Sequence, residues 1–297
     1  MNRKHQLTSP TFTKATYSTM PSLKDSYLIL YNAACIGGWA YVLYLFTVHV
    51  INQAPCCLPS LLESFSQVYH STPELSKALV IVQTAAIMEI VHAATGLVRS
   101  PAAVTAMQVS SRLVALFAIV FSPFAQNHYG AGLMILGWSL VEVPRYAFYV
   151  AALISGDATK GTPYPLFYLR YSLFFVLYPL GISGELLTFK NAISDNAFLS
   201  AFTGMSSILY NTYYFIILTY IPGGPFMYMN MVWNRANAMK KRFARPKPPP
   251  RGLVFPKGKK GDSSTSEAGV AALAAAVSAV DVEAGNKIAK SKNWRFG

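Results

Sequence analysis

Six times along this chain an apolar run continues for 20 to 25 residues. That is the length an α-helix needs to cross a hydrocarbon core of roughly 30 Å. The runs are Tyr27–Ile51, Leu75–Val98, Ala102–Phe121, Gly130–Ile154, Pro165–Phe189 and Ala197–Ile221. Residues that favour turns (Pro, Gly, Asn and Ser) lie between them, as short loops require. Only 12% of the residues are charged, about half the share expected of a soluble domain. The predicted fold class is therefore all-α: a polytopic membrane protein with six transmembrane helices in one bundle.

The charge is unevenly spread. Of a net +13, the segment after Pro222 carries 14 Lys and Arg against four Asp and Glu, a surplus of ten. A basic tail beside a nearly neutral body suits the anionic surface of a bilayer and argues against a nucleic-acid-binding domain. The organisation read from this pattern is an N-terminal cytosolic tail over 1–26, a transmembrane domain over 27–221 and a basic, mostly disordered cytosolic tail over 222–297. Both tails are placed in the cytosol because Arg3, Lys4, Lys14, Lys24, Arg99 and Lys160 lie on one side, whereas 52–74 and 122–129 hold no Lys or Arg, the bias that orients membrane helices. Two basic residues, Lys77 and Lys190, lie toward the other side. An even number of spans agrees with both termini on one side. The three cysteines, Cys35, Cys56 and Cys57, form no CxxC pair, so neither a structural zinc site nor a disulfide framework is expected.

The fifth run is the most informative. It contains a single acid, Glu185, seven residues after Tyr178, with Pro179, Gly181 and Gly184 around them. An ionisable group inside a membrane helix is costly and marks a functional site by default. Seven residues are nearly two helical turns, which puts the phenol and the carboxyl on one face about 10 Å apart. Pro179 removes a backbone donor and crowds the carbonyl of Phe175. With the two glycines it predicts local bending or unwinding that draws the pair together. A phenol and a carboxyl in one dry cavity are reagents for moving protons.

Other polar groups within the runs read as support. Glu89 and His92 share a helix face. Their E-x-x-H spacing occurs only once, whereas di-iron bundles need two such motifs and further Glu ligands, so no metal site is expected. Gln108 and Arg112, four apart, are expected to share an inward face. Glu142 and Arg145, three apart, are expected to neutralise each other, the usual way for buried charges to survive. Arg170 and Lys160, near the basic end of the fifth run, are candidates for contacting a phosphate-bearing ligand, with Arg145 as a third. Snorkelling is the simpler role for the long basic side chains.

These residues lie in segments that resemble a known family. The stretch LRYSLFFVLYPLGISGELLT in the fifth run closely resembles the signature of the very-long-chain 3-hydroxyacyl-CoA dehydratases, also called protein-tyrosine-phosphatase-like proteins. Three further stretches agree in order: YNAACIGGW from Tyr31 to Trp39, QTAAIMEIVHAATGLVRSPAAVTAMQVSSR from Gln83 to Arg112, and GWSLVEVPRYAFY from Gly137 to Tyr149. The resemblance covers roughly Tyr27 to Lys241. Pro144 departs from the aliphatic residue that the pattern implies.

The resemblance implies a hydro-lyase of the endoplasmic reticulum membrane. It would remove water from (3R)-3-hydroxyacyl-CoA to give trans-2-enoyl-CoA, the third step of very-long-chain fatty acid elongation. Tyr178 and Glu185 fall on the family's catalytic pair with their spacing intact. No cofactor is implied. The implied partners are the acyl-CoA substrate, the lipid bilayer and the other elongation enzymes: 3-ketoacyl-CoA synthase, 3-ketoacyl-CoA reductase and enoyl-CoA reductase. Two rival readings remain at this level, an inactive scaffold of that complex and a proton-coupled carrier. Broken helices and buried acids suit a carrier, but no inverted repeat relates the first three runs to the last three.

Overall fold

Prolines mark where this chain starts and bends its helices. The computed structural model describes residues 22–53, 57–202 and 204–244, and among these all regular structure is helical. The order is α1 (Leu23–Gln53), α2 (Leu58–Ser71), α3 (Pro73–Ala85), α4 (Ile87–Ala94), α5 (Ala102–Phe121), α6 (Pro123–Gln126), α7 (Tyr129–Ser155), α8 (Tyr164–Ser172), α9 (Phe174–Ile193), α10 (Asn196–Ala201) and α11 (Ser206–Phe243). Pro59, Pro73, Pro123 and Pro165 stand in the first turns of α2, α3, α6 and α8, where a missing N–H leaves no bond unmade. α7 closes on Gly156 at φ +68°, a left-handed cap that suits glycine.

Four stretches are long and apolar enough to cross a membrane: α1, α3 with α4, α5 and α11. α8 and α9, bent by 42° at their junction, make a fifth when taken together. α7 has the length, at 27 residues, but Glu142, Pro144 and Arg145 interrupt its apolar run and it is not among the candidates. The described residues thus carry four or five candidate spans, where the sequence predicts six.

Two boundaries differ from expectation. The last run does not begin at Ala197. Short α10 comes first, and α11 starts only after Gly204 at φ +82°. Nor does it stop at Ile221: α11 continues through Pro222 and Pro225 to Phe243, so residues 222–243 belong to the helix and not to a tail. Membrane helices tolerate internal prolines when neighbours satisfy the freed groups, and the apolar sequence resumes at Phe226 and reaches Trp233. A helix also appears in a stretch treated as the loop after the first run. It is α2, which buries Phe65, Val68 and Tyr69. Residues 1–21 and 245–297, most of both predicted tails, lie outside the described residues, as does Cys56.

α7 is the central helix, packing most heavily on α9 and α1 and then on α2. Glycines allow the α7–α9 contact. A Cβ added at Gly184 would come within 2.5 Å of the Met134 nitrogen and 2.8 Å of the Gly130 carbonyl, so only hydrogen fits there. A Cβ at Gly137 would come within 3.2 Å of the Gly181 Cα, a less severe but still tight approach. This corrects the role read for Gly181 and Gly184. They do not unwind the helix, since α9 is helical from Phe174 to Ile193. The bend lies instead at Leu173, before Pro179. Proline deprives the Phe175 carbonyl of its donor and crowds the turn that precedes it, so the distortion emerges on the N-terminal side.

Candidate active site

The fifth run's acid lies between two neutral donors. Trp138, on α7, donates its indole N–H to Glu185 Oε1 at 2.8 Å, and Tyr220, on α11, donates its hydroxyl to Oε2 at 2.5 Å. Both carboxyl oxygens act as acceptors, and no cation pairs with Glu185 among the described residues. Tyr178 lies on the same flank of α9. Its hydroxyl donates to the Gly224 carbonyl of α11 at 3.2 Å, and its ring stands 6.1 Å from that of Tyr228. Along a regular helix the catalytic candidates remain about 10 Å apart, because no unwinding shortens the path. A substrate would therefore have to lie along the α9–α11 seam to meet both.

Behind Trp138 is a second polar set. Arg112, on α5, lies over the Trp138 ring at 4.9 Å and over Trp39 at 5.8 Å. Its guanidinium donates to Glu142 Oε1 at 2.5 Å. The other oxygen of Glu142 accepts from Arg145 Nε at 2.5 Å, and the two Arg145 Nη atoms grip both oxygens of Glu89 at 2.7 and 3.1 Å. Tyr146 also donates to Glu89. Two arginines and two glutamates close a neutral network, with Glu142 almost fully buried. Glu142 and Arg145 pair as the spacing predicts, and Glu89, on α4, joins them.

The remaining candidates disperse. His92 does not converge with Glu89: its Nε2 is 2.9 Å from the Tyr27 hydroxyl, and its ring meets those of Tyr27 and Tyr31 edge-on. Gln108 is exposed on α5, so it does not share an inward face with Arg112. A four-residue step keeps two side chains on one side of a helix, but Gln108 falls a full turn nearer the helix end. Arg145, gripped by two carboxylates, is committed to the network and not to a ligand. Arg170 reaches the Tyr149 hydroxyl at 3.3 Å and lies over the Tyr149 and Tyr171 rings. Lys160 is exposed, its Nζ 3.4 Å from the Ala244 carbonyl. Its loop is shaped by Asp157, whose carboxyl is held below the usual range by the N–H groups of Thr159 and Lys160.

Sequence reasoning missed Trp138 and Tyr220. Trp138 lies inside the quoted segment GWSLVEVPRYAFY, but nothing in that segment says which acid its N–H meets. Tyr220 is one of 18 tyrosines, and no spacing ties it to a residue 35 positions earlier. Only the antiparallel contact of α9 with α11 singles it out.

The sequence model of the family described as protein tyrosine phosphatase-like protein, PTPLA, matches residues 83–241. Among the relatives is the very-long-chain (3R)-3-hydroxyacyl-CoA dehydratase hpo-8 of Caenorhabditis elegans, 36% identical over 71% of this chain and 93% of its own length. The dehydratase PASTICCINO 2 of Arabidopsis thaliana is 33% identical over 72% of this chain and 93% of its own. Dehydratase 2 of Homo sapiens is 30% identical over 72% and 80%. No solved structure matches.

Proposed function

The chain belongs to the protein tyrosine phosphatase-like (PTPLA) family, and from that premise we propose that it is a very-long-chain (3R)-3-hydroxyacyl-CoA dehydratase, a lyase of fatty acid elongation. The reaction takes a proton from C2 of the substrate and hydroxide from C3, leaving the trans-2-enoyl thioester and water. The thioester carbonyl already acidifies C2, so the protein has to supply a base, an acid and an orientation. The observation that carries the assignment is Glu185: an acid in an apolar helix, both oxygens held by neutral donors.

We assign Glu185 as the base that removes the C2 proton. Tyr178 donates its proton to the departing C3 oxygen as the C3–O bond breaks. The carbon electron pair left at C2 becomes the new double bond. The proton on Glu185 then returns to the Tyr178 oxygen through the water formed. Trp138 and Tyr220 orient the carboxyl toward the substrate and hold it without neutralising it. A positioned proton-transfer group contributes about 10²–10⁴-fold to rate.

We place the protein in the endoplasmic reticulum membrane with both termini in the cytosol, α7 serving as the sixth span, its ion network compensated within the bundle. Its neighbours in the cycle are the 3-ketoacyl-CoA synthase, the 3-ketoacyl-CoA reductase and the enoyl-CoA reductase. The deciding assay uses purified full-length protein and a (3R)-3-hydroxyacyl-CoA, following the enoyl-CoA formed. Wild type is expected to turn over. Tyr178→Phe and Glu185→Gln are expected to lose about 10²–10⁴-fold in kcat with unchanged thermal stability. Near-normal dehydration by both variants would overturn the assignment.

A further inference from the structure

Arg235 has no acidic partner among the described residues. It lies on α11, where its Nε donates to Ser172 Oγ at 3.0 Å, at the break between α8 and α9. The guanidinium is flanked by the rings of Phe175 at 5.3 Å and Tyr168 at 5.9 Å. Its two Nη atoms make no hydrogen bond to any described residue, so the donating end of the fork is unspent while its stem is fixed. Arg242, in the last turn of the same helix, contrasts with it. Arg242 spends its fork on the carbonyls of Thr159 and Thr162, and so clamps the α7–α8 loop to α11. Arg170 is turned to the other flank of α8, toward Tyr149 of α7.

The position of Arg235 relative to Tyr178 is the second observation. Tyr178 bonds Gly224, and Arg235 follows Gly224 by eleven residues on the same helix, about 16 Å along its axis. Between them runs a continuous aromatic strip. Tyr228 meets Tyr178 at 6.1 Å, Phe174 at 5.5 Å and Phe175 at 6.4 Å, and Phe175 in turn meets Arg235. Phe175 and Tyr168 are exposed, so this edge of the seam is open. The arm of coenzyme A from sulfur to the first phosphorus has about thirteen bonds. At the roughly 3.5 Å that three extended backbone bonds span, it reaches about 15 Å. A thioester at Tyr178 therefore puts a pyrophosphate beside Arg235.

We propose that Arg235, fixed by Ser172 and backed by Tyr168 and Phe175, binds the phosphate groups of the coenzyme A portion of the substrate. The inference rests on the dehydratase reading. A planar guanidinium with a free fork is the side chain suited to phosphate oxygens. The same chemistry would also hold a phospholipid headgroup, so the test separates the two sources.

The experiment compares a (3R)-3-hydroxyacyl-CoA with the matching pantetheine thioester, which lacks the phosphates, on wild type, Arg235→Gln and Arg235→Lys. Arg235→Gln is expected to raise KM for the CoA substrate about 10–100-fold, the equivalent of one charge-assisted hydrogen-bonding group. Kinetics on the pantetheine thioester should be unchanged. Arg235→Lys should recover part of the loss, because it keeps the charge but not the fork. Equal losses on both thioesters, or no loss on either, would overturn the proposal. Each arm is run in uncharged detergent and in nanodiscs containing anionic phospholipid. A loss that appears only with lipid, on both thioesters alike, would assign the site to a headgroup and also overturn it. Direct titration of coenzyme A, without turnover, separates this inference from the reading beneath it. Silent wild type in the assay sinks the dehydratase reading, whereas equal affinity of wild type and Arg235→Gln for coenzyme A sinks the anchor.

Discussion

Two acids of the same bundle, Glu142 buried and Glu185 half-buried, are treated in opposite ways. Glu142 accepts from two arginines, and one of these is shared with Glu89. Glu185 accepts from an indole and a phenol. The first arrangement cancels charge within the protein, as a buried ionic group must be cancelled if it is to survive in a membrane. The second gives the carboxyl a fixed direction and, among the described residues, no counter-charge. Trp138 joins the two, since its ring lies under Arg112 while its N–H points at Glu185. The network is thus a support for the site, and the site is the place where compensation was left incomplete.

Exchanging each acid for its amide gives the largest expected effects, and they should differ in kind. Glu185→Gln should lower kcat about 10²–10⁴-fold and leave the melting temperature unchanged. Glu142→Gln should destabilise the protein by about 3–5 kcal/mol, because Arg112 and Arg145 lose a shared counter-charge. Set against a total stability of about 5–15 kcal/mol, that should be visible as poor yield and a lowered melting temperature. Thermal denaturation in detergent with parallel turnover measurements checks both. If Glu185→Gln melted early and Glu142→Gln did not, the contrast between the two acids would be broken.

A smaller effect sharpens the contrast. Tyr220→Phe removes one of the two donors to Glu185 and keeps the ring that packs near Phe189. One hydrogen bond to a charged group is worth about 1.5–3 kcal/mol, so kcat should fall about 10–100-fold while KM stays near its original value. Such a split follows when the lost contact acts in the transition state. A rise in KM with unchanged kcat would make Tyr220 a substrate contact instead of a positioning residue.

How much of this could be read in the sequence depends on the range of the contact. Local patterns were legible. The apolar runs marked most of the long helices, though not α2 or the limits of α11, the three-residue step gave the Glu142–Arg145 pair, and the seven-residue step put Tyr178 and Glu185 on one flank of α9. Contacts between helices were not legible. Nothing in the spacing joins Tyr220 to Glu185 or Glu89 to Arg145, because those pairs depend on how α9 meets α11 and how α4 meets α7. The glycines misled for a related reason. Gly181 and Gly184 look like breakers along the chain, and only the presence of α7 against them shows that Gly184 admits the backbone of Gly130 and Met134 and that Gly181 faces Gly137. The reach of α11 past Pro222 was hidden in the same way, since the local rule for proline is overridden when a packed helix continues on both sides.

The smallest predicted effect concerns a third acid, Asp195, which tests whether neutral donors alone make a carboxyl catalytic. Asp195 lies between α9 and α10. It accepts from the backbone N–H of Phe198 at 3.0 Å, from the Ser122 hydroxyl at 2.7 Å and from the N–H of Phe124 at 3.2 Å. Like Glu185 it has no cation partner among the described residues, but it is 1% exposed, and its donors tie the α5–α6 junction to the start of α10. Burial pushes its pKa up, and the hydrogen bonds from Phe198, Ser122 and Phe124 outweigh it, so the carboxyl titrates below its ordinary range. A depressed folded-state pKa stabilises the fold above the unfolded value, about 3.9. That contribution disappears as the pH falls through the folded value. Asp195→Asn should therefore cost about 1–2 kcal/mol near neutral pH, seen as a melting temperature lower by a few degrees, and the gap to wild type should close below about pH 4. Dehydration by the folded variant should be unchanged. A variant that melted normally but dehydrated slowly would show that a carboxyl so deeply enclosed still reaches the chemistry, and that accessibility is not what separates Asp195 from Glu185.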